Sequence, residues 1–130
     1  MTIADTDVLI DFLAGVEPSA AQVAEELERG SLCTTAVSRF ELLSGVRSAR
    51  QEAAVRELLA AVSTLPLDEG AADRAAEVRR LLERSGQPIG MADSLIAGIT
   101  LTRGGSLLTR NRRHFERVGG LRLADLNLKN

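Results

Sequence analysis

Tryptophan and tyrosine are absent, phenylalanine occurs three times, and histidine, cysteine and lysine occur once each, as His114, Cys33 and Lys129. Each shortage removes a class of function. A lone cysteine cannot form an internal disulfide, which points to a reducing, cytoplasmic setting. A Cys/His zinc site needs more soft ligands than this chain owns. A Ser-His-Asp triad would have to use His114, and no G-x-S-x-G elbow accompanies it. With so few aromatic rings, stacking of nucleobases is not a rich resource. No run approaches the ~18 apolar residues of a membrane span. The N-terminus has no basic segment ahead of its apolar run, and Asp5, Asp7 and Asp11 interrupt that run, so no signal peptide is expected.

What remains is ordinary globular material. The 130 residues are 45% hydrophobic and 26% charged, enough for one domain spanning 1–130 with a core that needs no disulfides. The 16 basic and 18 acidic residues give a net charge of −2, which by itself argues against a polybasic nucleic-acid binder. Along the chain the sum divides unevenly. Residues 1–102 hold 9 basic and 16 acidic residues, whereas residues 103–130 hold 7 and 2.

Apolar periodicity alternates short runs with amphipathic helices. Residues 1–5 form a run ending in Asp5. Val8, Leu9, Phe12 and Leu13 make one helix face closed by Gly15. Pro18 opens a helix with Val23 and Leu27 inward and Glu25, Glu26 and Glu28 outward, ended by Gly30. A strand is expected at 31–34, then a helix through Val37 to Gly45 and another marked by Val55, Leu58, Leu59 and Val62. Leu65–Leu67 reads as a short edge strand around Pro66. A helix over 71–85 has Ala75, Val78, Leu81 and Leu82 inward, and a helix over 91–103 has small residues, Ala92, Ala97 and Gly98, that admit a close neighbour. Strands at 106–109 and 121–123 flank a helical turn at 111–117. This alternation, without repeat or linker, predicts an α/β fold: a three-layer α/β/α sandwich around a mostly parallel sheet.

In such sheets functional groups gather beyond the carboxyl ends of the strands. Asp5 ends the first strand, Glu41 lies in the helix after the second, and Asn111 follows the strand at 106–109. Asp93 joins them if its helix starts at that edge. Carboxylates placed together repel unless a cation sits among them, and hard oxygen ligands in small number suit Mg²⁺ or Mn²⁺. Such an ion lowers the pKa of a bound water and stabilises charge on a phosphate. Each acid also has a plain structural role open to it. Asp5 and Asp7 sit at a helix start, Ser38 and Glu41 have the spacing of a capping box, and Asp93 lies in a first helical turn. Asp7 and Asp11, four residues apart, are a like-charge pair that a nearby cation would relieve.

Four ordered blocks, ADTDVLIDFL at 4–13, SRFELLSG at 38–45, PIGMADSLIAG at 88–98 and LLTRNRRHFERVGGLRL at 107–123, resemble the successive blocks of PIN-domain ribonucleases, and most closely the VapC toxins of toxin–antitoxin pairs. The resemblance covers nearly the whole chain. It implies a PIN fold and a Mg²⁺- or Mn²⁺-dependent endoribonuclease, with Asp5, Glu41 and Asp93 as metal ligands. The fourth position of the catalytic set falls on Asn111, where some members have Asp. Asn keeps an oxygen that can hold a metal-bound water, and its missing charge leaves a second ion open. Asp7 stands where members often have Asn or Ser, and Thr109 places a hydroxyl beside the same cluster; both are supporting residues. In the implied mechanism the ion orients a water for in-line attack on RNA, and a carboxylate or solvent takes the proton. The family also implies a homodimer and a cognate antitoxin partner, with the helices at 7–14 and 49–62 offering apolar faces.

Beside that site, Arg110, Arg112 and Arg113 are the candidate RNA contacts, because arginines grip phosphates; a solvated, salt-bridged turn is their alternative. His114 is read as packing or hydrogen bonding. Two other functions stay open. A catalytically weakened PIN module would only bind RNA or protein. D-T-D-V at 5–8 is also similar to the start of haloacid-dehalogenase-like phosphatases. Those need a lysine near the phosphoaspartate, as do receiver domains, and the only lysine here is Lys129.

Overall fold

Strand and helix alternate along residues 1–126, which are the residues the computed structural model describes. The strands are β1 (Thr2–Ala4), β2 (Leu32–Thr35), β3 (Ser63–Leu65), β4 (Ser106–Leu108) and β5 (Arg122–Leu123). They form one sheet in the order β3-β2-β1-β4-β5, and every pairing is parallel. The helices are α1 (Thr6–Ala14), α2 (Ser19–Arg29), α3 (Ala36–Ser44), α4 (Ala49–Ala60), α5 (Glu69–Arg84), α6 (Met91–Arg103) and the short α7 (Arg112–Phe115). Lys129 lies outside the described residues.

The central strands β1, β2 and β4 are covered on both faces, as is usual for parallel strands. Successive residues point to opposite sides of the sheet. Ala4 and Leu108 face a cluster with Val8, Leu9, Val23, Leu58 and Leu59, supplied by α1, α2 and α4. Ile3 and Leu107 face a second cluster with Val78, Leu82, Ile96 and Phe115, supplied by α5, α6 and α7. This is the expected three-layer α/β sandwich. The tightest contact is between α5 and α6. A Cβ placed on Gly98 would lie 2.5 Å from the Ala71 carbonyl oxygen and 2.7 Å from the Ala75 Cβ, so only glycine allows this approach.

Three details differ from the expectations. Glu26 is buried, not outward; it shares the inward stripe with Val23, and its Oε1 accepts from the Ser31 hydroxyl at 2.5 Å. Leu81 is 59% exposed, because Ala71, Ala75, Val78 and Leu82 already fill the inward stripe of α5 and Leu81 falls about 100° off Leu82. The third strand is Ser63–Leu65, ahead of Pro66 instead of around it, since proline has no N–H for the ladder.

The strand order fixes where a site can form. From β1 the chain moves outward on one side to β2 and β3, and later returns to β1's other side for β4 and then β5. The seam between β1 and β4 is therefore the switch point of the sheet, where the connections leave in opposite directions and a crevice opens beyond the strand ends.

Candidate metal centre at the switch point

Asp5 is both the residue after β1 and the N-cap of α1, with its Oδ1 accepting from the Thr6 N–H at 2.8 Å. Across the seam, Thr109 follows β4 and is fully buried. Its hydroxyl donates to Asp5 Oδ2 at 2.7 Å and lies 3.4 Å from Asp7 Oδ2. The same Thr109 oxygen accepts from the Asn111 N–H at 2.9 Å, and the Asn111 side-chain Nδ2 donates to Asp93 Oδ2 at 3.1 Å. Asp93 is in the first turn of α6, so that helix does begin at the carboxyl edge.

Glu41 enters from α3. Thr6 Oγ1 lies 2.5 Å from Glu41 Oε1 and 2.8 Å from Ser38 Oγ. A hydroxyl has one proton and a carboxylate only accepts, so Thr6 donates to Glu41 and Ser38 donates to Thr6. The capping-box role for Ser38 and Glu41 is excluded. The N-cap of α3 is Thr35, whose side chain accepts from the Ser38 N–H at 3.0 Å. Glu41 is thus left to face Thr6. One hydrogen-bonded thread runs Glu41–Thr6–Asp5–Thr109–Asn111–Asp93, and it contains Asp5, Glu41, Asp93 and Asn111 together.

The electrostatics are those of an anionic pocket that Arg110 compensates on its Asp7 side. Burial, then the charge of Asp7, pushes the Asp5 carboxyl from 3.8 up to about 7, against the lowering effect of the Thr109 and Thr6 hydrogen bonds. Asp93 adds to the rise. Asp7 is also raised by burial, opposed first by the hydrogen bond from the Arg110 N–H and then by the Arg110 charge. One oxygen, Asp7 Oδ1, is buried with no hydrogen-bond partner among the described residues.

Among the described residues, no three Asp, Glu, His or Cys side chains are disposed to hold a metal ion unaided. The acids are turned toward hydroxyl and amide donors. The donor set still fits a hard divalent ion. It offers only oxygens, it has a buried carboxylate without a counter-charge, and it has an orphaned oxygen at Asp7. Mg²⁺ commonly takes few carboxylates and keeps several waters.

The three candidate RNA-contact arginines have different surroundings. Arg110 is clipped to α1, with its N–H donating to Asp7 Oδ2 at 3.1 Å and its Nε pairing with Asp11 Oδ2 at 2.7 Å. That pairing also answers the like-charge problem at Asp7 and Asp11. Arg112 Nη1 donates to the Ala124 carbonyl at 2.8 Å. Arg113 is exposed and has no hydrogen-bond or ion-pair partner among the described residues. Arg117 and Arg122 donate to the carbonyls of Pro88 and Gly104. Much of the basic stretch therefore ties its own loops down.

Sequence reasoning missed Thr6, Ser38 and the contacts of His114. His114 Nδ1 is 3.2 Å from Asp93 Oδ2 and 2.9 Å from Asn111 Nδ2. A hydroxyl residue set between two acids, D-T-D, was the available signal for Thr6. Nothing local marks His114, whose partner acid is 21 residues away.

Comparison with known proteins places the chain in a family. The family model described as "PIN domain" matches residues 2–121. The chain is 34% identical to the tRNA(fMet)-specific endonuclease VapC of Shigella flexneri over 93% of this chain and 94% of that one. It is 36% identical to Ribonuclease VapC10 of Mycobacterium tuberculosis over 88% and 86% of the two chains. Among solved structures, DNA-bound VapBC from Salmonella typhimurium superposes with a TM-score of 0.84 at 27% identity, covering 97% of this chain and 98% of that one. The fold is also that of VapBC-1 from nontypeable Haemophilus influenzae, with a TM-score of 0.81 over 96% and 97% of the chains at 24% identity. With its acids gathered at the β1/β4 seam, residues 2–121 matched by the family model and relatives at 34–36% identity over most of its length, the chain belongs to the PIN-domain family, among the VapC ribonucleases.

Proposed function

We propose that this protein is a divalent-metal-dependent endoribonuclease that acts as the toxin of a toxin–antitoxin pair. The observation that carries the reading is the Asp5 carboxylate, buried at the switch point beside Asp7 and within reach of Asp93's charge, with no cation of the protein's own to balance it. Asp5, Glu41 and Asp93 would hold Mg²⁺ or Mn²⁺. When bound, such an ion supplies an activated water and stabilises charge developing on a phosphodiester. The protein's own residues do the rest. Thr109 fixes Asp5, Thr6 fixes Glu41, and Asn111 fixes Asp93 through its amide nitrogen. The Arg110–Asp11 pair braces the loop after β4 against α1. Of the three arginines after β4, Arg113 has no partner among the described residues and would take an RNA phosphate, while the surrounding basic stretch draws the strand in.

Two apolar surfaces support the partner readings. A groove of about 430 Å³ between α1, α3 and α4 is lined by Ile10, Leu13, Leu42, Val46 and Val55, and it suits an antitoxin helix. A second patch, with Phe40 70% and Met91 64% exposed beside Leu67 and Leu95, suits a second copy of this chain. No helix among the described residues is long and apolar enough to cross a membrane. A cytoplasmic location is part of the proposal, since that is where its RNA substrate resides.

The test is cleavage of RNA by purified protein in Mg²⁺ or Mn²⁺, with chelator and with Asp93→Asn as controls. Cleavage should need the ion and should fall by at least a hundredfold in D93N. Activity that survives both controls refutes a metal nuclease. RNA binding by the wild type without cleavage in either metal would return the binding-module alternative.

A further inference from the structure

His114 touches Asp93 and Asn111, yet it has no part in the function proposed above. Its side chain is 41% exposed, on the one-turn helix α7, and the Asp93 side chain it meets is 23% exposed. Three polar atoms form a triangle: Asn111 Nδ2 to Asp93 Oδ2 at 3.1 Å, His114 Nδ1 to Asp93 Oδ2 at 3.2 Å, and His114 Nδ1 to Asn111 Nδ2 at 2.9 Å. The chemistry of the three groups assigns the protons. A carboxylate oxygen only accepts, so a lone pair of Nδ1 facing it at this distance would be repelled. Turning the Asn111 amide over would set its oxygen against the same carboxylate oxygen. An Nδ1–H and an Nδ2–H donating together to Oδ2 avoid both conflicts; they leave the two nitrogens 2.9 Å apart, a donor–donor contact that the carboxylate's charge between them offsets, whereas nothing offsets an Nδ1 lone pair turned to the anion.

We infer that His114 is a positioning residue for the metal site: with Asn111 it holds Asp93 by its Oδ2 oxygen and so fixes the carboxylate for cation binding through Oδ1. Asp93 Oδ1 has no hydrogen-bond partner among the described residues. Two donors on one oxygen stop the carboxylate rotating, and they leave the other oxygen available. Partners that orient a ligand in this way typically contribute 10–100-fold to metal affinity. The inference also gives Asn111 a definite part. Its amide supplies a donor where aspartate would add a charge, and a donor is what a second anion-facing position next to Asp93 needs. The inference rests on the proposed metal-nuclease function.

The experiment titrates Mn²⁺ alone, by calorimetry and by electron paramagnetic resonance, into the full-length wild type, His114→Phe and His114→Asn. Phenylalanine keeps the ring and loses the nitrogen. Asparagine loses the ring and keeps an N–H close to the place of Nδ1. Metal-free melting curves run in parallel. H114F should bind Mn²⁺ about tenfold or more weakly with its metal-free melting temperature little changed, and H114N should stay within about threefold of wild type. Equal Mn²⁺ affinity in H114F and wild type overturns the inference. So does H114N binding as weakly as H114F, which would mean that the ring and not the donor matters. If the wild type binds no Mn²⁺, the metal-nuclease reading itself fails and this inference falls with it; if the wild type binds and the variants do not separate, only the role of His114 is lost.

Discussion

Replacing Asp5 with asparagine isolates what the site costs the fold. Asp5 is 6% exposed, and its carboxyl is raised from 3.8 to about 7, by burial first and Asp7 second. A group with a folded value above its unfolded value costs nothing below the lower value, where both states hold the proton. The cost grows as pH rises through the interval and is complete above the upper value. At about 1.4 kcal/mol per pH unit, the interval amounts to roughly 4 kcal/mol at pH 8. Asparagine has the same shape and no charge. Its Oδ1 still accepts from the Thr6 N–H, its amide can donate to the Thr109 oxygen, and the Thr109 hydroxyl can turn to Asp7 Oδ2. In chelator at pH 8, D5N should therefore melt on the order of 10 °C above wild type. The gap should shrink steadily to near zero by about pH 4, the lower end of the interval. Saturating Mn²⁺ should close it from the other side, because ligand binding stabilises only the wild type. Thermal and urea unfolding from pH 4 to 8, with and without metal, measure all three. A D5N protein less stable than wild type at pH 8 in chelator would refute the reasoning, and so would a gain independent of pH.

Three further outcomes follow from other parts of the structure. Thr109→Val removes the donor to Asp5 and the acceptor for the Asn111 N–H, so denaturant unfolding should register a loss of about 2 kcal/mol and T109S should recover most of it. Gly98→Ala forces α5 and α6 apart; even after ~1 kcal/mol of helix propensity is gained, the net loss should be at least about 2 kcal/mol, and a neutral G98A would mean the helices part easily. Arg113→Ala should lower the slope of log RNA affinity against log salt by about one, whereas R112A, with its guanidinium tied to Ala124, should change it less.

Much of the layout was legible because its signals are local. Helix stops at Gly15, Gly30 and Gly104 and the apolar runs at 106–109 are written in neighbouring residues. The errors came where packing chose between plausible faces. Leu81 and Leu82 are equally apolar, and only the row formed by Ala75 and Val78 says which one turns inward. Glu26 looks like a surface acid until Ser31 is placed against it. At the site, Asp5 and Asn111 stand out because strand ends mark them, whereas Glu41 and Asp93, which lie within helices, join the set through the family resemblance. Their supports were not legible. Thr6 meets Glu41 across 35 residues and Thr109 meets Asp5 across 104, and no spacing rule reaches that far. The surroundings of the arginines were not legible either, since a run of like charge does not reveal that Asp11 and Ala124 engage two of its members.

The separation of Asp5 and Thr109 by 104 residues has a consequence for when the centre assembles. β1 is made first, but its neighbour on the far side of the seam is β4, near the end of the described chain. A ribosome that has released β1, β2 and β3 has released only one wall of the crevice. Thr109, Asn111 and the brace from Arg110 arrive only after β1, β2 and β3, and contacts of such long sequence range form late and slowly. A truncated or stalled chain therefore lacks the assembled centre. The centre is complete only once the chain has been made through β4 and the loop that follows it.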